Sequence, residues 1–173
     1  ADYAHLCSKI YPSRPAILTA VTGTNGKTSV CEYLRQIWSR ATWPSAAIGT
    51  LGVNSNIETL NNASALLTTP PPELLFARLD SLRKGGVTHV AFEASSHGLD
   101  QMRLHQLPVN VAVFTNLSHD HLDWHGDMSS YFESKRKLFT ENLLDGGTAV
   151  INIDDEWGRQ LYERLKDRDI VLW

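Results

Sequence analysis

The feature that most constrains this 173-residue chain is the octet TGTNGKTS at 22–29, which follows the apolar run 17–21 and leads straight into a stretch with helical spacing at 28–38. A buried strand, a glycine-containing turn and a helix, in that order, gather backbone N–H groups and a helix amino end around one point, where an anion is stabilised. Gly23 and Gly26 permit the tight turn, Lys27 reaches the terminal phosphates of a nucleotide, and Thr28 offers a hydroxyl to Mg2+. The candidate nucleotide-binding residues are therefore Gly23, Thr24, Asn25, Gly26, Lys27, Thr28 and Ser29. The longer phosphate-loop pattern needs Gly where this chain has Val21, so the match is to the shorter GxxGKT form. The alternative is a glycine-rich turn with an incidental Lys-Thr pair.

Further short β-branched runs occur at 46–49, 87–92, 109–114, 148–153 and 170–172, and helical spacing of apolar residues recurs at 72–82, 131–144 and 156–165. Pro72 suits the first turn of a helix and the Gly85-Gly86 pair its exit. Strands alternating with helices need crossover connections, which predicts an α/β fold with a mostly parallel sheet and helices on both faces. Ligands of such sheets bind beyond the carboxyl ends of the strands. Polar clusters stand at those places, at 23–28, 93–97 and 116–125.

Composition bounds the rest. A chain of this length with 42% hydrophobic residues builds one full core and not two. Residues 13–173 read as one domain and 1–12 as the end of a preceding domain or a linker. The chain opens without Met and stops directly after a strand-like run, so both ends read as cut, with further domains expected beyond them. Sixteen Lys and Arg against nineteen Asp and Glu, a net charge of -3, argue against nucleic acid or an anionic membrane as the partner. Cys7 and Cys31 form no CxxC pair or disulfide framework, no apolar run has the length of a membrane span, and the amino end lacks a signal-peptide pattern. A cytoplasmic monomer is the expectation.

Two further clusters carry chemistry. Glu93 ends an apolar run, and a carboxylate there is costly unless paired or bound to a metal, so it is a candidate Mg2+ ligand opposite Thr28. An exposed Glu capping the next loop is the alternative. The segment 116–127 holds three histidines and three aspartates, a density that points to metal binding or proton transfer. His119-x-His121-x-Asp123 also opens the dinuclear metal motif of metallo-β-lactamase-fold hydrolases, but that motif continues with His where this chain has Trp124. A dinuclear metal hydrolase would also leave the phosphate loop and Glu93 without a role. The run YFESKRK at 131–137 reads by composition as a basic, solvated helical face.

Taken in order, TGTNGKT, LTTP, EASSHGLDQ, FTNLSHDHLDWHG, Tyr131 with Lys135 four residues on, and INIDD resemble the Mur ligases from about Tyr11 to the end of the chain. The resemblance implies the P-loop NTPase-like central domain of a three-domain enzyme, flanked by an amino-terminal domain for the uridine end of the substrate and a carboxyl-terminal domain for ATP and the incoming amino acid. It implies an ATP-dependent, ADP-forming amide ligase of peptidoglycan biosynthesis. The match is nearest the member that adds the third stem residue, meso-diaminopimelate or lysine, to UDP-MurNAc-L-Ala-D-Glu through an acyl phosphate.

By the same resemblance Lys27, Glu93, His121 and Lys135 are catalytic, and residues 23–29 cradle ATP. Thr28, Glu93 and His121 hold Mg2+, and Lys135 is a carbamylated lysine that ligates a second Mg2+. Thr68, Thr69, Ser95, Gln101 and Arg103 contact the UDP-MurNAc portion. Without the resemblance, Thr68 and Thr69 are a helix entry and Arg103 a surface cation. Leu67 stands where relatives carry a polar contact residue, and His119 where Arg is common. Two alternatives stay open: a folylpolyglutamate synthase-like ligase, and a nucleotide-binding module without catalysis. Alone, without its flanking domains, the chain is not expected to ligate.

Overall fold

The computed structural model describes residues 2–61 and 67–173. At its centre is β1 (Ile17–Thr22), buried along nearly its whole length because the sheet is covered on both faces. Around it stand β2 (Ser45–Gly49), β3 (Gly52–Ser55), β4 (His89–Glu93), β5 (Val109–Phe114), β6 (Leu143–Ile151) and β7 (Val171–Leu172), in the order β3-β2-β4-β1-β5-β6-β7. Neighbouring strands are parallel except for the β2–β3 hairpin. The expected mostly parallel α/β sheet is therefore the observed one.

The helices are α1 (Asp2–Ile10), α2 (Lys27–Arg40), α3 (Pro72–Lys84), α4 (Ser96–Asp100), α5 (Leu122–His125), α6 (Met128–Lys137) and α7 (Glu156–Leu165). Cys31 and Trp38 of α2 pack on Val21, Ala47 and Ala91, whose small or compact side chains let the helix lie close to the strands. The larger core on the opposite face joins Leu75, Phe76, Leu79 and Leu82 of α3 to Leu18, Val90, Phe92 and Phe114 of the sheet. Residues 2–10 contribute to this core, for α1 packs on α3 and buries Ala4 and Cys7. Among the described residues no helix is long and apolar enough to cross a membrane.

Three local features differ from the sequence reading. β3 reads GVNS, without an apolar run, and forms because Thr50 and Leu51 make a two-residue turn that pairs Gly49 with Gly52. Gly52 accepts the left-handed backbone (φ 84°) that this tight reversal needs. α4 is too short for periodicity to reveal. The helical pattern expected over 131–144 ends earlier: α6 closes at Lys137, a π-helical turn spans Leu138–Asn142, and β6 begins at Leu143. Buried Asn142 donates to the Leu104 and Leu107 carbonyls at 2.7 and 3.0 Å, which turns the chain into the sheet, and a register shift between Val109 and Val111 absorbs residues 144–147.

Candidate functional site

The phosphate loop runs from the carboxyl end of β1 to the start of α2. Gly23 (φ 145°) lies so close to β5's exit that a Cβ there would sit 1.9 Å from Thr115 Oγ1. Gly26 (φ 86°) caps α2 in the left-handed region, with no side-chain cap over the helix's free N–H groups. The segment after β5 fixes the loop's shape. Thr24 N–H donates to the Asn116 carbonyl at 2.9 Å, Asn25 N–H to Asn116 Oδ1 at 3.0 Å, and Thr115 Oγ1 to the Asn25 carbonyl at 2.6 Å. Lys27 folds its ammonium back over the loop, donating to the carbonyls of Gly23 (3.0 Å) and Thr24 (2.8 Å). Burial lowers its proton affinity, while Glu93 and Asp120 oppose that shift.

Glu93 is 2% exposed, so the reading of an exposed strand-end Glu does not describe it. Its Oε1 accepts from Thr28 Oγ1 at 2.9 Å and from Thr50 N–H at 2.8 Å, and its Oε2 from Thr50 Oγ1 at 3.3 Å. The carboxylate lies against the bare backbone of Gly49, where a Cβ would come within 2.0 Å of Oε1. Three successive pieces of sheet and loop thus present Glu93 to Thr28 at the amino end of α2.

Lys135 departs most from its composition. Arg136 and Lys137 form outward ion pairs with Glu133 and Asp100 at 2.6 and 3.0 Å, as a basic helical face should. Lys135 is instead 1% exposed, and its Nζ donates to the Gly23 carbonyl at 2.9 Å, 4.4 Å from the centre of the Tyr131 ring. Burial holds its proton affinity well below the usual lysine value, and the Lys27 charge lowers it further. Tyr131 is equally buried, its hydroxyl 3.2 Å from Thr24 Oγ1, so one α6 turn supports both the loop and the amine.

Of the histidines, His121 and His97 line the cleft beside Lys27. His121 is the one the family resemblance singles out. It is exposed, with a left-handed backbone (φ 53°) that opens α5, its N–H donating to Asp120 Oδ1 at 2.9 Å. Its ring meets the edge of His97 at 4.9 Å between centroids and of Tyr131 at 6.1 Å. His125 stacks on Tyr131 at 4.9 Å between centroids and lies 5.6 Å from His97. Burial lowers the proton affinities of His97 and His125, and neighbouring histidines add to the effect. His119 is exposed, and among the described residues no three His, Cys, Asp or Glu side chains come together as a metal-holding group. The His119, His121 and Asp123 set of a dinuclear hydrolase is therefore not assembled.

Lys27 and His121 open onto a cleft of about 300 Å3 whose far wall is Thr68, Thr69, Ser95 and Arg103. Thr69 is buried; its Oγ1 donates to the Glu93 carbonyl at 2.8 Å and accepts from Ser95 N–H at 2.8 Å. Arg103 Nη1 donates to the Thr69 carbonyl at 2.6 Å, and Gln101 Oε1 accepts from Arg103 Nε and Nη2 at 3.0 and 2.6 Å. Gln101 lies not in this cleft but in an adjoining hollow that shares Arg103. Of the expected site residues, Asn25 bears on the loop through its backbone, Ser29 lies in the first turn of α2, and Leu67 is a half-exposed apolar wall of the cleft. The sequence reading missed Gly49, Thr50, Thr115 and Tyr131. Thr50 and Thr115 each stand directly after a strand, the one local signal that could have found them, and Tyr131 entered only as part of the family pattern.

The family model described as the Mur ligase middle domain matches residues 21–173. The chain is similar to the UDP-N-acetylmuramoyl-L-alanyl-D-glutamate--2,6-diaminopimelate ligases of Bradyrhizobium diazoefficiens (45% identity, covering 94% of this chain and 33% of that protein) and Anaplasma marginale (43%, covering 99% and 36%). It spans about a third of the length of these relatives. A solved structure of a ligase of the same name superposes with a TM-score of 0.82 at 32% identity, covering 98% of this chain and 34% of that one. A bifunctional folylpolyglutamate synthase/dihydrofolate synthase from Yersinia pestis shares the fold, with a TM-score of 0.71 at 19% identity over 99% of this chain and 47% of that one.

Proposed function

Because this chain belongs to the Mur ligase middle-domain family, we propose that it is the ATP-handling part of a bacterial cytoplasmic ligase that adds meso-diaminopimelate to UDP-MurNAc-L-Ala-D-Glu in peptidoglycan synthesis. The observation that carries the reading is what gathers around the phosphate loop. Lys27 and the buried Lys135 both donate to the Gly23 carbonyl, the loop's Thr28 pairs with Glu93, and Lys27 opens onto a cleft walled by Thr68, Thr69, Ser95 and Arg103. The relatives at 43–45% identity favour diaminopimelate over lysine as the added residue. Folylpolyglutamate synthesis is supported only by a shared fold at 19% identity. The protein acts as a monomer in this reading.

The donor set fits Mg2+, since Thr28 and Glu93 present hard oxygens 2.9 Å apart at the helix end where polyphosphate charge is stabilised. When bound, Mg2+ would screen the charge between the nucleotide and an attacking carboxylate. Lys27 leaves the Gly23 and Thr24 carbonyls for the terminal phosphates, and the loop N–H groups hold the remaining oxygens. Arg103 and the threonine hydroxyls orient an acidic substrate in the cleft, so that its carboxylate meets the γ-phosphate in line and forms an acyl phosphate with loss of ADP. The incoming amine then displaces phosphate to make the amide.

Lys135 takes a separate role. A buried amine depleted of its proton would react with CO2, forming an N–C bond and releasing one proton, and the carbamate oxygens, with His121, would hold a second Mg2+. Titration of Mg-ATP into the chain tests the nucleotide site: Mg2+-dependent binding that Lys27→Ala abolishes is expected, and equal binding by the variant overturns the assignment. In the complete protein, Glu93→Gln should abolish ligation while leaving the thermal midpoint within a few degrees.

A further inference from the structure

We infer that Thr50, in the β2–β3 turn, is a positioning residue that couples occupation of the cleft to cation binding at Glu93; this rests on the ligase reading above. The turn holds Glu93 in two different ways. The Thr50 backbone N–H donates to Oε1 at 2.8 Å, a fixed bond that any residue but proline supplies at this position. The hydroxyl is different, because it carries one proton and faces two acceptors at nearly equal distance, Glu93 Oε2 at 3.3 Å and Thr68 Oγ1 at 3.2 Å. It therefore stands between the carboxylate that faces Thr28 and the first threonine of the cleft wall.

The coupling follows from the proton count. With the cleft empty, Thr68 is free to donate its own proton to Thr50 Oγ1, which sends the Thr50 proton to Glu93 Oε2 and reduces the charge that oxygen offers to a cation. When an anionic oxygen in the cleft accepts the Thr68 proton, Thr68 Oγ1 becomes acceptor only toward Thr50 and a stronger one, since donation polarises the hydroxyl. The Thr50 proton then turns to Thr68, and Oε2 is released for Mg2+. Anionic substrate and Mg-nucleotide consequently strengthen one another's binding, and linkage makes the effect reciprocal.

The test is made on the complete protein, with Mg2+ and a nonhydrolysable ATP analogue titrated calorimetrically in the absence and presence of saturating UDP-MurNAc-L-Ala-D-Glu. The wild type should bind the nucleotide about fivefold or more tightly with substrate present. Thr50→Val keeps the backbone bond to Oε1 and should bring that ratio to within about twofold of one, whereas Thr50→Ser should retain it. Thermal melts of each variant verify the fold, and Thr50→Ala serves if valine is not accommodated. An unchanged ratio in Thr50→Val, or no coupling in the wild type, overturns the proposal. Failure of the wild type to bind nucleotide with Mg2+ at all overturns the ligase reading as well, so the two failures are distinct.

Discussion

Lys27 and Lys135 donate to a single acceptor, the carbonyl oxygen of Gly23, at 3.0 and 2.9 Å. Two ammonium groups on one carbonyl repel, and only Lys27 has opposing charge from both Glu93 and Asp120. The deeply buried Lys135 is thus the one that gives up its proton more readily.

This sets a pH signature for stability. The folded proton affinity of Lys135 is lowered, so between its folded pKa and the ordinary lysine value the unfolded chain binds more protons, and stability rises with pH through that window. Lys135→Met should flatten the rise and lift the melting temperature near neutrality by a few degrees, about 1 kcal/mol in a chain of this size. Lys27, shifted in the same direction, leaves a smaller slope. Thermal melts across pH 6–10.5, as roughly bounded by the ordinary lysine value, check this; an unchanged slope in Lys135→Met would contradict it.

Gly49→Ala probes the Glu93 cradle. Gly49 has no left-handed backbone to lose, so the added methyl acts through space alone, at 2.0 Å from Oε1. The carboxylate must move, and Mg-nucleotide affinity should fall about tenfold or more, the equivalent of about 1.4 kcal/mol. Calorimetry decides the point: affinity within twofold of wild type would mean that Glu93 finds an equivalent position.

Tyr131→Phe removes the hydroxyl beside Thr24 and keeps the ring beneath Lys135. One buried hydrogen bond is worth about 1 kcal/mol, so a melting-temperature loss of roughly 2–4 °C is expected. Tyr131→Leu also removes the ring that stabilises an ammonium, and the Lys135 proton affinity should fall further. NMR titration of labelled lysine Nζ measures that, and no difference between the two variants would remove the ring's role.

Asp155 joins two parts of the upper rim. Its Oδ1 caps α7 by accepting from Gly158 N–H at 2.7 Å, and its Oδ2 accepts from Leu117 N–H at 3.0 Å in the segment after β5. Asp155→Ala should cost about 1–2 kcal/mol. Urea denaturation gives the loss, and a change below about 0.3 kcal/mol would show that water replaces both bonds.

The sequence by itself determined the alternation of β1, α2, β2, α3, β4 and β5, because period-two and period-3.6 patterns are local and the phosphate loop must sit between a strand and a helix. It also marked residues 23–29, Glu93 at the end of an apolar run and the histidine-rich segment 116–127, all near the carboxyl ends of strands. Lys135 was legible only through family resemblance, since its neighbours in YFESKRK read as a solvated face. Which lysine of that run is buried depends on the rotation of α6 against the loop, a tertiary property. The same holds for Gly49, Thr50 and Tyr131, whose roles come from partners 43 or more residues away, at Glu93 and Thr24. Local patterns encode faces and turns; only packing of the assembled sheet decided which polar atoms meet, because a buried carboxylate or amine persists only where distant chain segments supply its partners.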